Sequence, residues 1–140
     1  MNTGTLIKIL NDHNRWLKTH GKHGARANLS LQDFQGMSFA GLNLTGALII
    51  GSNLRAADLS YTCLRNAFIS YTDLRGASLK KTDFSYAKLI NVNAFDDDLS
   101  PAIIQDAYIS PPLKTFEEGN NRPVNKITCI VISPMTLQKK

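Results

Sequence analysis

From Leu29 to Ile109 every fifth residue is apolar and core-sized, with one lapse. The series runs Leu29, Phe34, Phe39, Leu44, Ile49, Leu54, Leu59, Leu64, Ile69, Leu74, Leu79, Phe84, Leu89, Ala94, Leu99, Ile104 and Ile109. Leu, Ile and Phe supply 35 of the 140 residues, so chance puts about four of them in seventeen slots; sixteen are there. A period of five matches neither the 3.6 of a helix nor the 2.0 of a strand, so no single element runs through this segment with one face buried. The chain must turn repeatedly, as repeat architectures do.

The neighbouring registers say where it turns. Two residues before the centre stands Ala at 27, 47, 57, 67, 77, 87, 102 and 107, so small and large side chains alternate toward one interior. Just before the centre stands Asn or Asp at 28, 33, 43, 53, 58, 73, 83, 93 and 98, residues whose side chains satisfy turn backbone. Gly36, Gly41, Gly46, Gly51 and Gly76 fall two after the centre, where a corner needs positive φ.

The stretches Ala-Asp-Leu-Ser-Tyr at 57–61, Ala-Asn-Leu-Ser-Leu at 27–31 and Thr-Asp-Leu-Arg-Gly at 72–76 resemble the consensus of the pentapeptide-repeat family, and the likeness spans roughly residues 25–111. It implies an all-β solenoid, a right-handed quadrilateral β-helix in which four pentapeptides form one square coil of twenty residues. The sequence tests that period by itself. In columns of twenty, one inner position reads Ala27, Ala47, Ala67, Ala87, Ala107, and its centres are Leu29, Ile49, Ile69, Leu89 and Ile109. Seventeen pentapeptides make about four coils, a column roughly 20 Å tall at strand spacing. The rhythm is weakest from Val92 to Leu99, where Ala94 underfills its slot and Asp97 takes an inner one. A local bulge, or a one-residue slip placing Phe95 inside, accounts for it; either leaves Asp96, Asp97 and Asp98 as an acidic corner.

Three segments follow: residues 1–24 as an N-terminal amphipathic capping α-helix and linker, 25–111 as the repeats, and 112–140 as a C-terminal loop and strand covering an end or side of the column. Leu6, Ile9, Leu10, Trp16 and Leu17, with His13, lie at helical spacing on one face. Thr5 reads as N-cap and Gly21 as stop. Such a helix covers the open end of a solenoid, which otherwise exposes apolar side chains and unpaired backbone. Beyond Pro111 and Pro112 lie a polar loop at 117–123 and one β-strand over 126–132, whose unbroken apolar run implies burial or pairing.

One side of the column carries apolar residues outward. Leu48, Ile50, Phe68, Tyr71, Ile90 and Tyr108 all fall there, while the other three sides are mainly polar. Such a face is covered or used. Either residues 112–140 fold over it, or it contacts a partner, a second copy in a homodimer or another protein. These six residues are the candidate interaction face.

Charge narrows the partner. Residues 1–24 carry four basic and one acidic side chain, 25–110 seven and eight, and 111–140 five and two, giving +3, −1 and +3. The resemblance points to binding rather than catalysis, with topoisomerase modulators and bacterial effectors among characterised relatives; the best-understood are gyrase binders whose long acidic columns imitate duplex DNA. That mimicry needs a charge density near one per ~1.7 Å. A short column with net −1 falls far below it, so a gyrase-directed role ranks second to a protein–protein interaction module acting as a bacterial or phage inhibitor or effector. Direct nucleic-acid binding rests on Arg55 with Arg75, Lys80 with Lys81, and the basic ends, and ranks lower.

No catalytic, cofactor or metal residues emerge. His20 and His23 lack a second ligand pair at a recognisable spacing. Cys63 has no His near it in sequence to activate it. Two cysteines in a chain without a signal-like N-terminus or a long apolar span fit a reduced, cytoplasmic protein with no membrane partner.

Overall fold

The computed structural model describes residues 1–95 and 98–110 in full, together with the backbone of 114–116 and 123–124. Helix α1 spans Thr3–Lys18. Strands β1 (Leu48–Ile50), β2 (Phe68–Ser70), β3 (Lys88–Ile90) and β5 (Tyr108–Ser110) form one sheet in that order, all parallel. The register is Leu48↔Phe68↔Lys88↔Tyr108, a uniform step of twenty. Bridges such as Asp33↔Asn53↔Asp73↔Asn93 and Asn43↔Cys63↔Asp83↔Ile103 repeat that step on other sides. The fold is therefore a parallel β-solenoid with an N-terminal helix, and the twenty-residue coil read from the columns is its repeat.

The centres fill the interior. Leu29, Leu44, Ile49, Leu59, Leu64, Ile69, Leu74, Leu79, Phe84 and Leu89 are all essentially inaccessible, and Phe34 meets Phe39 edge-to-face at 5.2 Å. Each buried Leu or Ile contributes about 1.5–3 kcal/mol relative to exposure. Ala47, Ala67 and Ala87 line the inner side of the sheet, leaving room for the large centres. On the neighbouring sides the inner slot holds a hydroxyl instead. Ser52, Thr62, Thr72 and Thr82 are buried, and each Oγ donates to the carbonyl of the centre 23 residues back: Leu29, Phe39, Ile49 and Leu59. The small-residue pattern alone did not reveal this ladder.

Corners behave as the sequence predicts, and more generally. The residue two after the centre has positive φ at Gly36, Gly41, Gly46, Gly51 and Gly76, but also at Leu31, Ala56, Tyr61, Asn66, Tyr71, Lys81, Tyr86, Asn91 and Asp106. Glycine relieves the corner without being required by it. The Asn and Asp side chains close the corners: Asn28, Asp33, Asn43, Asn53, Asp58, Asp73 and Asp83 each accept the N–H two residues on.

Helix α1 begins earlier than the sequence suggests. Its N-cap is Asn2, whose Oδ1 accepts the Thr5 N–H at 2.8 Å; Thr5 lies inside the first turn. Its end is also set differently. His20, not Gly21, takes the first left-handed position (φ 50), donating to Leu17, while Gly21 donates to Trp16 at 2.8 Å. Gly24 then returns the chain against the helix. A Cβ there would collide with the Asp12 carbonyl oxygen and crowd the Trp16 nitrogen, and Ala25 N–H donates to that same Asp12 carbonyl at 3.1 Å. Leu6 and His13 are buried, and Ile9 and Leu10 pack on the core. The helix accordingly packs against the core and the first coil. Among the described residues no helix is long and apolar enough to cross a membrane.

The weak stretch is a bulge in frame. Ala94 is fully buried, Asn93 pairs with Asp73, and Phe95 is only partly buried, which rules out the slip that would place it inside. Asp98 compensates for the interruption, its Oδ2 accepting the Gly76 and Phe95 N–H groups at 3.0 and 2.8 Å. Asp96 and Asp97 lie outside the described residues, as does the strand expected over 126–132. Two short strands are described on the C-terminal side: β6 (Lys114–Phe116) pairs parallel with β4 (Asn93–Ala94), and β7 (Pro123–Val124) pairs antiparallel with β6. The step from Asn93 to Lys114 is one residue longer than the repeat, so the regular count ends there.

Candidate interaction face

In β1, β2, β3 and β5 the pleat sends Ile49, Ile69, Leu89 and Ile109 inward and their neighbours outward. The register stacks Leu48, Phe68, Lys88 and Tyr108 into one outer ladder and Ile50, Ser70 and Ile90 into the next. The six candidate residues therefore share one side, in two adjoining rows with Tyr71 at the corner. Leu48, Ile50, Phe68 and Ile90 are partly buried, whereas Tyr71 and Tyr108 are 67% and 52% exposed.

Two polar positions interrupt the apolar face. Lys88 separates Phe68 from Tyr108 and divides the ladder, leaving a cation in the middle of an otherwise apolar strip. Ser70, flanked by Ile50 and Ile90, is buried. Leu31 was missed. It is 79% exposed at the first corner of the same side, and its Cδ2 reaches over Gly51, where a Cβ would come within 2.9 Å of it. Its sequence signal was an aliphatic residue in a corner column that otherwise holds Gly51, Tyr71 and Asn91.

The other sides use their polar groups internally. Asp73 binds Arg75 through Nε and Nη2, the latter at 2.6 Å, and that carboxylate holds the Arg75 pKa above its ordinary value. Asp83 pairs with Arg65 at 3.1 Å. Desolvation pushes the Asp83 pKa up, but bonds from Ser85 and Arg65 outweigh it and leave the carboxyl below its usual range. Asp58 is likewise lowered by the hydroxyl and N–H of Ser60. Arg65 lies over the Tyr86 ring at 5.5 Å and Lys80 over Tyr61 at 5.8 Å. Two of the four column cations considered for nucleic acid, Arg75 and Lys80, are thus engaged with their own column. Cys63 Sγ sits 3.2 Å from Thr45 Oγ1, in the slot an Asn or Asp occupies elsewhere. Asp33 accepts from Gln35 and Asn53. These carboxylates are corner ties.

Eight copies of the model described as pentapeptide repeats match the sequence, over residues 25–60, 33–70 and 52–93. The chain belongs to the pentapeptide-repeat family through this segment. Two solved structures are similar. One is a pentapeptide repeat protein, Rfr23, from the cyanobacterium Cyanothece 51142, at 21% identity and TM-score 0.41 over 60% of this chain and 57% of that one. The other is HetL, a pentapeptide repeat protein involved in heterocyst differentiation regulation, from the cyanobacterium Nostoc sp. strain PCC 7120. It matches at 20% identity and TM-score 0.33 over 69% of this chain and 62% of that one. This chain spans less than two thirds of either. No curated protein matches it.

Proposed function

We propose that this protein is a non-enzymatic protein–protein interaction module of the bacterial cytoplasm. In this reading a right-handed quadrilateral β-helix of about four coils presents flat sides to a macromolecular partner, as an inhibitor or effector. The observation that carries it is the outer face of the sheet: Leu48, Ile50, Phe68, Ile90, Tyr71 and Tyr108 on one side, with Leu31 at its corner. Those side chains make none of the corner bonds that occupy Asp33, Asp58, Asp73 and Asp83. Their backbone is held by the ladder, so little ordering entropy remains to be lost on binding.

Phe68→Asp tests it. The substitution places a carboxylate beside Lys88, a favourable cross-strand pair, and leaves the interior untouched. A protein partner retained by the wild type and released by Phe68→Asp supports the proposal; equal retention by both contradicts it. Light scattering separates a second copy from a different protein. Gyrase modulation is the competing outcome, and the near-neutral column argues against it; supercoiling inhibited at stoichiometric amounts would reverse that ranking.

A further inference from the structure

Among the described residues the one buried ionisable side chain is His13, 1% exposed at the seam between α1 and the first coil. Its Nδ1 accepts the Ala27 N–H at 2.9 Å, and its ring stacks on Trp16 with centroids 5.5 Å apart. The higher coils explain this bond. There the equivalent N–H is taken by a turn carbonyl three residues back: Ala47 by Leu44, Ala67 by Leu64, Ala87 by Phe84 and Ala107 by Ile104. The first coil has no preceding corner to supply that carbonyl. The imidazole stands in for it.

A carbonyl never titrates, but an imidazole does. With Nδ1 accepting, the neutral ring carries its proton on Nε2, which is buried and has no hydrogen-bond partner among the described residues. Protonation turns Nδ1 into a donor facing the Ala27 N–H, so the bond is lost and donor opposes donor. The charged group facing the ring is Arg26, whose guanidinium Nε donates to the Gly46 carbonyl and adds like-charge repulsion. The neighbouring charges on α1, Lys8 and Asp12, pair with each other at 2.8 Å. From the column the Thr45 backbone acts in the opposite, weaker sense.

We propose that α1 is an acid-released cap, with His13 as the latch: mild acid expels the imidazole from the seam and frees the helix and the rim of the first coil. The inference is independent of the interaction-face reading. Burial, then Arg26, holds the imidazole below its ordinary pKa. The unfolded or released state therefore takes up the proton first. The latch contributes fully above about pH 6.5 and weakens as pH falls from there toward the folded value.

Amide hydrogen exchange by NMR tests it on the whole protein. Protection of Ala27 and of the α1 amides should fall by up to about tenfold per pH unit below roughly pH 6.5, while Leu59 and Leu64 stay protected. His13→Asn supplies a non-titrating oxygen near the Nδ1 position and should hold the cap across the same range. The exposed histidines serve as control, since His20→Gln with His23→Gln should follow wild type. Flat wild-type protection down to about pH 5, or the same loss in His13→Asn, overturns the proposal. Should His13→Asn fail to fold, the wild-type ring decides: an imidazole that titrates while α1 remains protected also overturns it.

Discussion

The sheet side of the column and its other sides obey one rule inward and two different rules outward. Inward, Ile69 on the sheet side and Leu64 on another are buried equally. Outward, Asn53, Asp58, Asp73 and Asp83 fold back onto their own corners, while on the sheet side Asn28 does so in the first coil and the positions above it hold Leu48, Phe68, Lys88 and Tyr108. Three-residue strands explain the contrast. Their N–H and C=O groups bond the coils above and below, so the outward side chain is not needed to satisfy the backbone. A position relieved of structural work is open to other chemistry, and this protein places apolar groups there.

Core substitutions break the comparison most severely, because both kinds of side depend on the interior alike. Leu59→Lys buries an unpaired charge mid-stack and should cost more than about 4 kcal/mol, read as the absence of a cooperative thermal transition. Truncation is milder and should be indifferent to side: Ile69→Ala and Leu64→Ala should each lose about 2–5 kcal/mol in denaturant titrations. A large difference between the two would show that the sheet carries stability the corners do not.

Inner small positions should separate the sides. Ala47→Val overfills a fully buried slot behind the sheet and should cost about 1–3 kcal/mol. Thr72→Val keeps the volume and removes the hydroxyl shared between the Ile49 and Ser70 carbonyls, at about 1 kcal/mol. Outer positions should separate them the other way. Asn53→Ala removes the tie to Arg55 N–H and should cost about 1 kcal/mol, whereas Tyr108→Ser should leave stability within about 0.5 kcal/mol.

Acid sharpens the contrast least. The folded-state pKa values of Asp58 and Asp83 are depressed, so their contributions are present above the unfolded value near 3.8 and disappear as pH falls through the folded one. Thermal melts between about pH 5 and 2 should show a shallow decline that Asp83→Asn reduces. Phe68→Asp leaves Asp58 and Asp83 in place and should keep that decline, slightly steepened because its new carboxylate faces Lys88.

Periodicity alone carried much of the fold. A large apolar residue every five positions admits no helix or strand and demands a corner between centres, and the invariant alanine column identified the sheet side and its outward residues. The N-cap at Asn2 was hidden because Asn2 and Thr5 are both competent caps, and local sequence does not say which N–H lacks a partner. Leu31 was hidden because a corner residue's exposure depends on the coil above it, here Gly51.

The amino-acid order by itself determined the coil length, the inward residues, the corner chemistry and the family, because all of these repeat at short range. Tertiary structure decided what long-range proximity creates: hydroxyls bonded to carbonyls 23 residues back, Asp98 bridging its bulge to Gly76, and His13 reaching Ala27 across the seam. A hydrogen bond depends on where the chain returns in space, and for groups outside the repeat no periodicity records that return.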